Sequence, residues 1–196
     1  MKRIINVFAV LFATVMVSYS GIIATNQNVT ARMDSSSGSE NDRAVYILTD
    51  GYSTNYIDPV YVGYNYSYIS LIVSNGASLS KTNDNLFYMS RKTTCSYNKL
   101  TVTGSGSKVQ FGPLSGDGTF DFAVGFTGST NNILEILDGA SFTVAGDLIS
   151  YPSVRPSIIM DNNSSFYCYS RSYLGSSHGA SSISIKNGLL FMVVQE

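Results

Sequence analysis

Apolar and polar residues alternate with period two in several short stretches of this chain. The segment Leu71-Ile72-Val73-Ser74-Asn75-Gly76-Ala77-Ser78-Leu79 sets the pattern, with apolar residues at alternate positions, a turn pair, and a further apolar residue after the turn. It returns as Leu134-Glu135-Ile136-Leu137-Asp138-Gly139-Ala140-Ser141-Phe142, as Ile158-Ile159-Met160-Asp161-Asn162-Asn163-Ser164-Ser165-Phe166, and as Ile183-Ser184-Ile185-Lys186-Asn187-Gly188-Leu189-Leu190-Phe191. A further copy, Leu100 to Val109, carries one extra residue in its turn around Gly104. Such alternation buries one face of a strand and shows the other to water. Asn-Gly and Asp-Gly pairs supply the positive φ of a sharp corner. Beyond the corner, Phe142, Phe166 and Phe191 are expected to point inward from the next strand.

The copies begin at residues 71, 100, 134, 158 and 183, in steps of 29, 34, 24 and 25. Upstream of each stands a second landmark, an apolar residue followed by Gly or Ser: Val62-Gly63, Met89-Ser90, Val124-Gly125, Ile149-Ser150 and Leu174-Gly175. Two landmarks per period point to a repeat architecture whose loops vary in length. Asn75-Gly76, Asp138-Gly139 and Asn187-Gly188 also suit two-residue hairpin turns of an antiparallel sandwich. Recurrence of the same residue class at the same place favours the solenoid. The fold expected is therefore all-β, a right-handed parallel β-solenoid of about five irregular coils. In it Asn75, Gly104, Asp138, Asn162 and Asn187 form a corner ladder, with amides of neighbouring coils bonding along the axis.

The N-terminus follows a different pattern. Lys2 and Arg3 precede an apolar run from Ile4 to Val17, broken only by Asn6 and Thr14, and Ser18 and Ser20 then flank Tyr19. That is the three-part layout of a secretory signal peptide, and the run is shorter than the about 20 residues of a membrane span. Residues 1–20 are expected to form a signal helix cut after Ser20, with Ala24 as the alternative. Residues 21–43, poor in apolar side chains, read as a flexible leader. Residues 44–69 read as an N-terminal cap and first coil, and 70–196 as the β-helical repeats. Export places the protein outside the cell or at its surface.

Charged residues make up 13% of the chain, where soluble domains usually carry roughly 25%. Ser, Gly, Asn and Thr account for 77 of 196 residues. Low charge suits a fold that stacks like positions about 4.8 Å apart. A net charge of −1 with scattered Lys and Arg argues against nucleic acid as a partner. The single His excludes a zinc site built on two imidazoles and argues against a Ser-His-Asp triad. No cofactor or metal site is expected.

These residues give the chain a resemblance to the β-helical repeats of bacterial autotransporter passenger regions and of related exported proteins that bear a sorting tail. The likeness covers about residues 60–194 and rests on stretches such as Val124-Gly125 through Asn131-Asn132-Ile133 to Phe142. It implies a secreted or surface-displayed protein, adhesive or structural, with no shared catalytic residues. The chain departs from that pattern after Phe191-Met192-Val193-Val194, where it stops at Gln195-Glu196 with neither a translocator barrel nor a sorting segment. An incomplete last coil would offer a sheet edge to a stacking partner.

Four features raise chemistry. Gly175-Ser176-Ser177-His178-Gly179 has the spacing of a nucleophile elbow, but the next segment alternates as a strand rather than a helix. Asp117, Asp121 and Glu135 are the carboxylates best suited to cleaving a polysaccharide, with Asp121 and Glu135 outward-facing and no Arg or Lys in register. Cys95 and Cys168 fall two to three coils apart, beyond the about 7 Å that a disulfide spans. Tyr64, Tyr66 and Tyr68 share one face if their stretch is extended, and could then stack on sugars. The function expected is an exported, non-enzymatic surface solenoid with an adhesive or structural role, its partner a surface glycan or a host or envelope component. A β-helical carbohydrate-active enzyme or glycan-binding module is the alternative.

Overall fold

The computed structural model describes residues 23–35, 39, 41, 43–82, 86–112, 120–151, 154–170, 172–173 and 182–192. The expected signal helix and the 175–179 motif lie outside them. A first coil contains β1 (Ile23–Thr25), a 3-10 turn (Asn26–Asn28) and β2 (Arg32–Met33). Then come β3 (Ala44–Leu48), β4 (Ser53–Asn55) and β5 (Val60–Val62) in the second coil, and β6 (Ile69–Ser74), β7 (Ser78–Lys81) and β8 (Phe87–Met89) in the third. The fourth holds β9 (Lys99–Thr103), β10 (Lys108–Phe111) and β11 (Phe122–Val124). The fifth holds β12 (Ile133–Leu137), β13 (Ser141–Val144) and β14 (Leu148–Ile149). The sixth holds β15 (Ser157–Asp161), β16 (Ser165–Cys168) and β17 (Ser172–Tyr173), and β18 (Ser182–Lys186) and β19 (Leu189–Met192) begin a seventh.

Equivalent strands stack into three sheets. The first runs β1-β3-β6-β9-β12-β15-β18, the second β4-β7-β10-β13-β16-β19, and the third β2-β5-β8-β11-β14-β17. Neighbouring strands pair in parallel, as between Leu71 and Leu100, Leu100 and Leu134, Leu134 and Ile158, and Ile158 and Ile183. The chain is thus a right-handed parallel β-solenoid. Asn75-Gly76, the hairpin candidate, instead turns the chain from the first sheet into the second, and the two flanking strands do not pair.

The five coils legible in the sequence are present, and two precede them. Residues 23–33, expected in the flexible leader, form the first: β1 pairs with β3, and Val29 and Met33 are buried against the core. Few apolar residues suffice because the second coil already offers a hydrogen-bonding template. Residues 44–69, expected as a cap and first coil, form a coil with strands in all three sheets and have residues 23–33 stacked before them.

The core is a column of inward side chains. Leu71, Leu100, Leu134 and Ile158 form one stripe from the first sheet, and Leu79, Val109, Phe142 and Phe166 another from the second, all buried. Phe142 meets Phe111, Phe122 and Phe166 with ring centroids 5.7, 5.0 and 5.4 Å apart. Burying one such side chain contributes roughly 1.5–3 kcal/mol. In the pairing register Phe191 does not stand at the stripe position. It pairs in register with Tyr167, an outward position, while Leu190 pairs with buried Phe166. One residue is missing from the corner of that coil, and a one-residue shift exchanges the faces of a strand.

The third corner, which returns each coil to the first sheet, holds a buried polar network. Asn98 donates to Ser90 Oγ at 2.8 Å and accepts from the Ile69 amide at 2.8 Å. Asn132 accepts from Ser90 Oγ at 2.7 Å and from the Asn98 amide at 3.1 Å, and donates to Ser129 Oγ at 3.2 Å. Each amide thereby satisfies the backbone of the coil below it, which offsets the cost of burying it. The Gly-or-Ser landmark makes room. A Cβ on Gly63 would stand 2.2 Å from Asn98 Nδ2, and one on Gly125 2.8 Å from Asn132 Nδ2.

Gly63 and Gly76 have similar left-handed backbones, with φ of +82° and +74°, but a Cβ on Gly76 meets nothing within 4 Å. Both Gly→Ala changes incur strain of about 1–2 kcal/mol. Gly63→Ala must also displace Asn98 and its buried bonds, at a further cost of about 2 kcal/mol or more. Urea denaturation of the two variants should show the larger loss at Gly63, and equal losses would contradict the packing described.

Candidate functional site

The first corner places the predicted ladder residues in adjacent coils, at or near the surface. Asp50, Asn75, Asp138, Asn162 and Asn187 take positive φ, as does Gly104. Asn162 Nδ2 donates to Asp138 Oδ1 at 2.9 Å, and Asn75 Nδ2 to Asp50 Oδ1 at 3.4 Å. At Gly104, which has no side chain, Thr103 Oγ1 donates to Asp138 Oδ2 at 2.9 Å. The Asn162 and Thr103 bonds hold the Asp138 carboxyl below its ordinary range. These bonds join coil to coil and consume the polar groups involved.

The carboxylates are dispersed. Asp121, just ahead of β11 in the third sheet, accepts from the Asp147 amide at 2.8 Å. Glu135 stands in the first sheet, where Lys99 Nζ lies 2.8 Å away and Thr101 donates at 3.0 Å. A cation therefore accompanies Glu135, though not in register with it. Lys99 pairs in register with Ile133, two residues earlier, and reaches diagonally along the same face. Asp117 lies outside the described residues, among which no group of three or more His, Cys, Asp or Glu is placed to hold a metal ion. Cys95 and Cys168 are buried and form no disulfide, and burial pushes the Cys95 thiol up.

The tyrosines are arranged otherwise than an extended stretch would place them. Gly63 and Tyr68 both take positive φ, so residues 63–68 bend as a loop and Tyr64, Tyr66 and Tyr68 do not share one face. Each joins a different part of a ridge built on the third corner.

One column of the ridge lies over the outer face of the third sheet and consists of the residue following each landmark: Tyr64, Arg91, Phe126 and Tyr151. Tyr64 meets Tyr61 edge-on at 4.9 Å beneath the Arg32 guanidinium, 3.8 Å from its centroid. Tyr61 stacks on Tyr88 at 5.8 Å, and Arg91 lies between Tyr88 and Phe126, 4.9 and 4.7 Å from their centroids. Phe126 in turn meets Tyr151 at 5.0 Å. Cation–π attraction fixes Arg91 in this sandwich.

A second column occupies the position before the first-sheet strand: Arg43, Tyr68, Tyr97, Asn131 and Arg155, as the pairing register requires. Tyr68 and Tyr97 stack at 5.0 Å with planes 6° apart, and Arg43 donates to the Tyr97 carbonyl at 2.7 Å. Tyr66 is 43% exposed and Tyr97 40%. Lys92 bonds Asn65 Oδ1 at 2.7 Å, and Asn65 donates to Asp34 at 2.7 Å. The landmarks and Tyr64 are legible in the sequence, whereas Arg91, Phe126 and Tyr151 at the equivalent position are not among its candidate residues. Recurrence of Tyr, Arg, Phe and Tyr at that position was the available signal.

No family model matches the chain, and no match is found among curated proteins or solved structures. The resemblance to autotransporter passenger repeats therefore extends as far as the solenoid fold.

Within the ridge, burial pushes the Tyr88 phenol up to about 12, with Tyr151 adding to the shift and Arg91 opposing it. The fold favours the neutral phenol, so the associated stability is full below the ordinary value of 10.0 and is lost as pH rises through about 12. In an alkaline absorbance titration, Tyr88→Phe should remove one phenolate from the upper end of the curve. Removal from the part near pH 10 would contradict the burial described.

Proposed function

We propose that this protein acts at a cell or envelope surface as a non-catalytic solenoid, its role adhesive or structural, with the third-corner ridge as the contact surface. The observation carrying this reading is the ridge itself, in which partly exposed aromatic and cationic side chains repeat once per coil on a backbone fixed by the buried Asn98 and Asn132. Aromatic and Arg side chains are the usual anchors of binding surfaces, since they bring large contact area with little freedom to lose. The signal-type N-terminus supports export. A cut after Ser20 leaves β1 whole, whereas one after Ala24 would remove two of its three residues. An enzyme of the polysaccharide-cleaving kind needs carboxylates facing one groove, and Asp121 and Glu135 belong to different sheets. A stacking partner at the last coil is part of the same proposal, because Ile183 and Ile185 on β18 are 39% and 44% exposed at positions in register with buried Ile158 and Met160.

Two measurements test the reading. The full chain, expressed in a bacterial host and fractionated, should appear outside the cytoplasm with a mature N-terminus after Ser20. Beads coated with that protein should adhere to envelope preparations, and a Tyr66→Ala/Tyr68→Ala variant should adhere about tenfold less. Cytoplasmic retention with Met1 intact, or equal adherence by the variant, would contradict it.

A further inference from the structure

We infer that the third-corner ridge binds an anionic polysaccharide of the polyuronate class, an inference that rests on the surface-binding reading above. Charge is the first ground. Among the described residues of this corner and the adjoining β2, the cations are Arg32, Arg43, Arg91, Lys92 and Arg155, and the single carboxylate is Asp34. Arg32 stands 3.6 Å from Asp34 and neutralises it. The described part of the ridge is therefore basic, on a chain whose net charge is −1. Lys92 and Arg155 are exposed, and Arg91 is held in place between two rings.

Ring geometry is the second ground. The face of an aromatic ring is electronegative, and the axial C–H groups of a pyranose are electropositive, so the two stack. Tyr66 and Tyr97 supply such rings in successive loops and are substantially open to solvent, whereas Tyr68 is enclosed between Tyr97 and Arg43. Equivalent strand positions repeat about every 4.8 Å along the solenoid, so a ridge that recurs coil by coil suits a linear, repeating ligand better than a single headgroup. A polyuronate combines a sugar ring with one carboxylate per residue, matching a surface that carries both aromatic and cationic side chains. Carboxylates are also well matched to guanidinium, which can bind them through two parallel N–H bonds. A nucleic acid carries a denser charge and calls for a more strongly basic surface than five cations provide.

The test uses the full chain in titration calorimetry against polygalacturonate, its fully methyl-esterified form, single-stranded DNA, and vesicles of phosphatidylserine and phosphatidylcholine. Polygalacturonate should bind, the methyl ester at least about tenfold more weakly, and added salt should weaken the acidic polymer selectively. Lys92→Gln/Arg155→Gln should reduce polygalacturonate affinity about tenfold without lowering the thermal midpoint, since both side chains are exposed. Tyr97→Asn removes the ring while keeping a residue suited to its left-handed backbone, as Asn131 shows at the equivalent position. It should weaken binding as well, again with the midpoint retained. Equal binding of ester and acid, tighter binding of DNA or vesicles, or wild-type affinity in both variants would overturn the inference. If the protein adheres in the bead assay but ignores polygalacturonate, the ligand class is wrong and the adhesive reading stands. Failure in both removes the two together.

Discussion

Parallel pairing of each coil with the next makes every side chain stand over its equivalent one coil away. Backbone bonds such as Lys108 N–H to the Ala77 carbonyl and Ser141 N–H to the Ser107 carbonyl, 2.9 and 3.0 Å, carry this register through the corners. An apolar residue at an inward position then works only if the neighbouring coils also place apolar residues there, which yields the stripe from Leu71 to Ile158. A buried polar side chain is tolerated on the same terms. Asn98 and Asn132 succeed because each finds the backbone of the preceding coil at bonding distance, and because the landmark residue before each loop is small.

The same register that builds the core orders the exterior. The returning loops differ in length, yet each begins after Gly63, Ser90, Gly125 or Ser150 and ends beside the next first-sheet strand. Side chains at those two fixed points fall into columns while the intervening residues vary. The two kinds of corner also differ in chemistry. The first carries short polar side chains bonded among themselves, as Asp138 is to Asn162 and Thr103, whereas the third carries long cations and phenol rings. The contact surface we propose lies at the third corner, because its groups are large, partly exposed and held by one another.

Much of the architecture was legible because period-two alternation and corner residues are local signals that repetition reinforces. The misses arose where information lay between coils. Residues 23–33 lack the apolar density of an independent element, and their order comes from pairing with β3. Phe191 was assigned inward by counting from Asn187, but loss of one corner residue shifts the count. The Tyr64–Tyr68 stretch alternates as a strand would, yet Gly63 and the positive φ at Tyr68 bend it. Lys99 and Glu135 are 36 positions apart in the chain and meet only once β9 and β12 are adjacent. The ridge was partly visible as a Tyr-rich run, while its cations, contributed by four separate coils, were not.

In-register stacking is tested most directly by cysteine pairs on an outward face. Gln110 and Thr143 are partners on β10 and β13, and Cα atoms of paired strands lie within the span that a disulfide bridges. A Gln110→Cys/Thr143→Cys protein should therefore oxidise readily to an intramolecular disulfide, detected by mass spectrometry, and a Gln110→Cys/Ser141→Cys protein, displaced by two residues, should not. Closure of the displaced pair with failure of the in-register pair would contradict the stacked arrangement, and with it the columns on which the ridge depends.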